Sequence, residues 1–94
     1  MTIKIKIPTP LREFTNGEST VQANGENIKD LIINMDKSYS GIYDRLIDST
    51  GNIFGFVNIY VNGEDVKYLE GLATKLSGNE EITIVPAVAG GQTR

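Results

Sequence analysis

Toward the end of this chain the side chains shrink in steps, through Pro86, Ala87, Val88 and Ala89 to Gly90-Gly91. The five residues after Pro86 can extend about 17 Å at roughly 3.3–3.6 Å each, enough to thread a narrow channel in another protein. Glycine has no side chain and accepts almost any backbone conformation, so a second protein's active site can close around Gly90 and Gly91. A carboxylate presented in this way can be activated as an acyl-adenylate and attacked by a sulfur or nitrogen nucleophile. Gly91 would then be the acyl carrier, with Gly90, Ala89 and Val88 giving the tail its slender form. Two glycines near a terminus also fit a frayed end with no role. What separates the two readings is whether an ordered domain ends just before them.

The rest of the chain offers little other chemistry. None of its 94 residues is histidine or cysteine. A His-based acid–base pair, a Ser-His-Asp triad, a Cys nucleophile, a His/Cys zinc site and a disulfide framework are all excluded. The acids show no spacing that suggests an all-carboxylate active site. The chain is therefore expected not to be an enzyme, and no cofactor of its own is expected. Nine basic residues against twelve acids, a net charge of −3, form no basic stripe for nucleic acid. No apolar run approaches the roughly 18–20 residues of a membrane span. The opening Met1-Thr2-Ile3-Lys4-Ile5-Lys6-Ile7-Pro8 lacks the core of a signal peptide. A cytoplasmic protein without nucleic-acid or membrane partners, monomeric on its own, is the expectation.

The composition, 39% hydrophobic and 22% charged, is that of one folded domain. Ile3, Ile5 and Ile7 alternate with Lys4 and Lys6, the period of a strand with one buried face. Pro8 and Pro10 end it, Asn16-Gly17 marks a turn, and Ser19–Ala23 returns as a hairpin partner. Asn27 suits a helix N-cap, with Asp30 in the first turn and Ile28, Leu31, Ile32 and Met35 as one apolar stripe. Tyr39, Ile42, Tyr43 and Leu46 repeat that spacing, with Ser40 as the expected cap of a second, shorter helix. Phe54–Val61 reads as a strand, Asn62-Gly63 as a type I′ turn, and Glu64-Asp65-Val66 as its short return. Leu69–Leu76 has room for one helical turn, and Glu81–Pro86 is the last strand. A hairpin, a helix laid across a mixed sheet, then a strand pair and a final strand is the β-grasp arrangement. It predicts an α+β, ubiquitin-like fold of four to five strands over residues 1–86, with residues 87–94 as a flexible tail. The expected core is Ile3, Ile5, Ile7, Val21, Ile28, Leu31, Ile32, Met35, Val57, Ile59, Ile82 and Ile84.

With the tail placed just after such a domain, a family likeness appears. The segments Ile5–Arg12, Tyr39–Ile42 with Arg45-Leu46, Phe56–Asn62, Glu64–Val66, Gly71–Thr74 and Val85–Gly91 span almost all of residues 3–91. Together they resemble the ThiS/MoaD family of ubiquitin-like sulfur carriers, most of all its members in thiocarboxylate-dependent cysteine synthesis. The resemblance implies a protein that catalyses nothing itself. An E1-like adenylyltransferase would adenylate the Gly91 carboxylate with ATP, and a sulfur donor would convert it to a thiocarboxylate. A pyridoxal-phosphate-dependent synthase would pass that sulfur to an activated serine or homoserine. A JAMM-type zinc peptidase would hydrolyse the carrier–amino-acid adduct. With no cysteine in the chain, a C-terminal acyl group is where sulfur would sit.

One departure from the mature family pattern matters. Gln92-Thr93-Arg94 follow Gly91, so its carbonyl is held in a peptide bond and cannot be adenylated. Some family members are made as such precursors, which implies cleavage between Gly91 and Gln92, with the JAMM-type peptidase as the natural candidate. A harmless extension is the plainer alternative. On the sheet, Phe56, Tyr60 and Val85, with Lys4, Lys6, Asn58 and Thr83, are expected on the open face, where aromatic groups could dock a partner. Isolated exposed aromatics are also normal on strands. Arg12 and Arg45 are expected as solvated surface residues. The competing readings are a small subunit of molybdopterin synthase (MoaD-like), a ubiquitin-like protein modifier, and an interaction domain with an inert tail.

Overall fold

The computed structural model describes residues 2–86. Five strands form one mixed sheet: β1 (Ile3–Lys6), β2 (Thr20–Ala23), β3 (Val57–Val61), β4 (Glu64–Asp65) and β5 (Glu81–Pro86), in the order β2-β1-β5-β3-β4. β1 pairs β2 antiparallel and β5 parallel, while β5 pairs β3 antiparallel. The first and last strands thus lie side by side at the centre. The apolar alternation predicts their faces: Ile3, Ile5, Ile82 and Ile84 are buried, and Lys4, Lys6, Glu81 and Val85 are exposed. The β-grasp expectation holds.

Helix α1 (Ile28–Ser38) covers the buried face with Ile28, Leu31, Ile32 and Met35. Burying each such side chain is worth about 1.5–3 kcal/mol. Asn27 caps the helix, its Oδ1 accepting from the Asp30 amide at 2.8 Å, as its position before the apolar stripe implies. Residues far along the chain clamp the same end. The Ile28 amide donates to the Thr74 carbonyl, and the Leu76 amide to the Glu26 carbonyl.

A second helix, α2 (Ile42–Leu46), follows, but Ser40 is not its cap. Gly41 holds the N-cap position in a left-handed conformation, φ 104°. The Asp36 carboxylate, reaching from α1, accepts from the Gly41 and Tyr43 amides at 3.0 and 2.9 Å. A carboxylate satisfies those orphan amides more strongly than a hydroxyl would.

The strand expected over Phe54–Val61 begins only at Val57. The Phe54 amide donates to Leu46 and the Val57 amide to Phe54, so Gly55 and Phe56 sit in a turn. Two further differences enlarge the core. A 3₁₀ helix, Thr9–Thr15, fills the hairpin loop and buries Leu11 and Thr15. Ile42, Leu46, Ile47, Val61 and Val66 join all twelve expected core residues. The expected helical turn after Leu69 is 3₁₀, Gly71–Ala73, preceded by another at Val66–Tyr68. Among the described residues, no helix is long and apolar enough to cross a membrane.

Candidate functional site

The candidate site lies where β5 ends, because the chain enters the Gly-Gly segment from Pro86. Gly90 and Gly91, with Val88, Ala89 and the Gly91–Gln92 bond, lie outside the described residues, as does the rest of the expected tail over 87–94. What the described residues fix is the platform from which the tail leaves. β5 is held on both sides, by β1 through Lys4↔Glu81 to Lys6↔Thr83 and by β3 through Val57↔Pro86 to Val61↔Ile82. Pairing with β1 ends at Thr83, and β3 alone continues to Pro86, which stands opposite Val57.

Two surfaces flank that exit. On the open face of the sheet, Val85 stands opposite Asn58 and Thr83 opposite Tyr60. Val85 is 39% exposed and Tyr60 half-buried, so the structure brings these two expected docking residues onto one face. Exposed Lys6 meets Glu81 at 3.5 Å, and Lys67 Nζ donates to Asn58 Oδ1 at 2.9 Å. Exposed contacts of this kind contribute less than about 1 kcal/mol each. Chemically the face is a small apolar area inside a ring of mixed charge.

Phe56 does not share that face. Its turn before β3 carries the ring to a groove of about 540 Å³ at the other side of the β5 end. There Phe56, 53% exposed, stacks on Phe54 with centroids 4.9 Å apart and planes 20° from parallel. Leu11, Phe14, Ile84 and Pro86 complete the apolar lining. Of the two arginines expected on the solvated surface, Arg45 is exposed and Arg12 half-buried, and each makes a contact. Arg12 Nε donates to the Ile7 carbonyl at 3.1 Å, and the Arg45 guanidinium lies 5.1 Å from the Phe14 ring centroid. Leu11 and Phe14 are not marked in the sequence by strand alternation or by a full helical stripe. Pro10, placed for the first turn of a helix, was the available signal.

Comparison with known proteins fits this geometry. The ThiS family matches residues 5–91. The chain belongs to the ThiS family. It is 46% identical over 93 residues to the sulfur carrier protein CysO of Mycobacterium tuberculosis, covering 97% of this chain and all of that one. The crystal structure of that CysO superposes with a TM-score of 0.88 at 43% identity, over 92% of this chain and 99% of that chain. The crystal structure of the Amycolatopsis orientalis BexX/CysO complex matches with a TM-score of 0.89 at 38% identity, over 95% and 99% of the two chains. The solution structure of small archaeal modifier protein 1 from Methanosarcina acetivorans matches at 30% identity and a TM-score of 0.80, over 96% of each chain. In this ThiS-family chain the ubiquitin-like fold and the Gly-Gly sequence therefore occur together.

Proposed function

We propose that this ThiS-family chain is a sulfur carrier protein. Its Gly91 carboxylate, freed by removal of Gln92-Thr93-Arg94, becomes a thiocarboxylate that supplies sulfur for cysteine or homocysteine synthesis. The observation that carries this reading is the family match running through Gly91, together with 46% identity to a CysO along nearly the whole chain. The chemistry needs only what a small domain can give, a carboxylate on a slim tail held at a fixed exit. The carboxylate oxygen attacks the α-phosphate of ATP and pyrophosphate leaves. A sulfur nucleophile then displaces AMP from the acyl carbon. The partners are an E1-like adenylyltransferase, a pyridoxal-phosphate-dependent sulfur-transfer synthase and a JAMM-type zinc peptidase that trims the tail and cleaves the adduct. The existence of a BexX/CysO complex supports partnering of this kind. Tyr60 and Val85, beside the exit, form the docking face for the adenylyltransferase, and Phe56 marks its other flank.

Pyrophosphate exchange tests the reading. An E1-like adenylyltransferase from the same cells should catalyse ATP–pyrophosphate exchange with a chain ending at Gly91. It should give none with the chain that retains Gln92–Arg94. Equal exchange with both, or none with either, would refute the proposed role of Gly91. Likeness to an archaeal modifier protein supports a second reading, in which Gly91 is joined to lysines of other proteins. That reading predicts a ladder of conjugates in cells, where the carrier reading predicts none.

A further inference from the structure

Three Asn-Gly pairs occur in the chain, Asn16-Gly17, Asn24-Gly25 and Asn62-Gly63. Such a pair can react with itself, because a glycine leaves its own amide nitrogen unhindered. That nitrogen attacks the Asn Cγ, its proton passes to solvent, and the side-chain Nδ2 leaves as ammonia. Water then opens the resulting succinimide to aspartate or isoaspartate. The reaction needs a reachable carboxamide, a free amide nitrogen and a backbone that can bring the two together. The fold treats the three pairs differently.

Asn16 and Asn62 are both held in the left-handed region, at φ 56° and 53°. With ψ 33°, Asn16 turns the Gly17 nitrogen almost opposite to its own Cβ. That nitrogen also donates to the Arg12 carbonyl at 2.8 Å. At Asn62 the carboxamide is engaged, its Oδ1 accepting from the Glu81 amide at 2.9 Å. The Asn62 amide donates back to the Glu81 carbonyl, which locks the residue to the start of β5. Asn24 has neither restraint. It is exposed and has no left-handed φ. Among the described residues, neither its carboxamide nor the Gly25 amide has a hydrogen-bond partner.

The surroundings of Asn24 favour the attack further. Its carbonyl accepts from Asn34 Nδ2 at 2.8 Å, which draws electron density from the peptide and makes the Gly25 N–H more acidic. A hollow of about 640 Å³ beside the pair, lined also by Glu26, Asp30 and Ser77, lets water reach the succinimide.

We propose that Asn24 is the residue at which the folded chain deamidates first, giving aspartate or isoaspartate in place of asparagine. The site is independent of the carrier reading, at the end of the sheet opposite Pro86. Isoaspartate adds a main-chain methylene between β2 and α1. It does so beside Gly25, where a Cβ would already come within 2.5 Å of the Leu31 nitrogen. Either product sets a new carboxylate beside Glu26 and Asp30.

Incubation of the full 94-residue chain at neutral pH, followed by tandem mass spectrometry of its tryptic peptides, tests the assignment. The first product should carry oxygen in place of NH at Asn24, with Asn16 and Asn62 intact. In denaturant, where the fold no longer sets the pairs apart, all three should react at comparable rates. Asn24→Gln should remove the early product, because its longer side chain would have to close a six-membered ring. First reaction at Asn16 or Asn62 in the folded chain would overturn the proposal, as would an Asn24 that reacts only in denaturant. The same preference for Asn24 in folded and denatured chains would overturn the fold as its cause.

Discussion

Single residues do two kinds of work in this domain. Some, such as Val85 and Tyr60, present surface; others hold loops by accepting backbone amides. Glu80, just before β5, is of the second kind. Partial burial disfavours its charge, but the amides of Ser77 and Gly78 and the Ser77 hydroxyl outweigh that and bring its carboxyl down from 4.5 to about 2. A carboxyl lowered on folding contributes stability that is complete above its unfolded value, here 4.5, and is lost as the pH falls toward about 2. Melting curves of wild type and Glu80→Gln should therefore diverge in their pH dependence. Wild type should lose more Tm between about pH 5 and about pH 2.5 than the variant, which has no such group to titrate. Parallel losses in the two proteins would contradict the assignment. Asp48 is shifted in the same direction by the Thr50 hydroxyl and the Asn52 amide, but it is half-buried and far from β5 in the chain.

At the scale of elements, the fold depends on where helix α1 begins. Gly25 lies against that start. A Cβ built on it would come within 2.5 Å of the Leu31 amide nitrogen and 2.6 Å of its Cα, so backbone must shift to admit it. Gly25→Ala should cost about 1–3 kcal/mol, as overpacking against rigid backbone does. For a domain of this size that corresponds to a Tm fall of roughly 4–24 °C. Gly55→Ala is the control. With open space around it and no left-handed φ, it should change stability by less than about 0.5 kcal/mol. A Gly25→Ala protein that melts with wild type would show that the close approach does not matter. The elements themselves were largely legible. Ile3-Lys4-Ile5-Lys6-Ile7 and Glu81–Pro86 announce strands because their alternation is a local property. Asn27 announces a cap because its partner, Asp30, is three residues away. Asn62-Gly63 announces a turn because both residues adopt positive φ, 53° and 88°, which few other pairs accept. What was not legible depends on contacts between distant residues. No short-range pattern shows that Asp36, rather than Ser40, caps α2. Nor does one show that the Phe54 amide turns to Leu46, which cuts β3 short and moves Phe56 off the open face.

The described residues form one folded domain, and the proposed chemistry follows its last strand. Its first and last strands run parallel at the centre of the sheet as far as Thr83, and β3 carries the last strand on to Pro86. This joins the two parts of the sequence that matter most, the isoleucine alternation of β1 and the Gly90-Gly91 end. The Gly-Gly end stands out by residue type and by its place after the last strand, while the thiocarboxylate chemistry proposed for it comes from the family resemblance. The sequence did not disclose the groove beside the exit, whose walls come from a 3₁₀ helix, from α2 and from the turn before β3. If Gly91 becomes a free carboxyl and then a thiocarboxylate, the intact mass of the protein isolated from its own cells will show both changes. The carrier role predicts a chain ending at Gly91, accompanied by a second species heavier by one sulfur in place of one oxygen. A mass that retains Gln92-Thr93-Arg94 under every growth condition would contradict it.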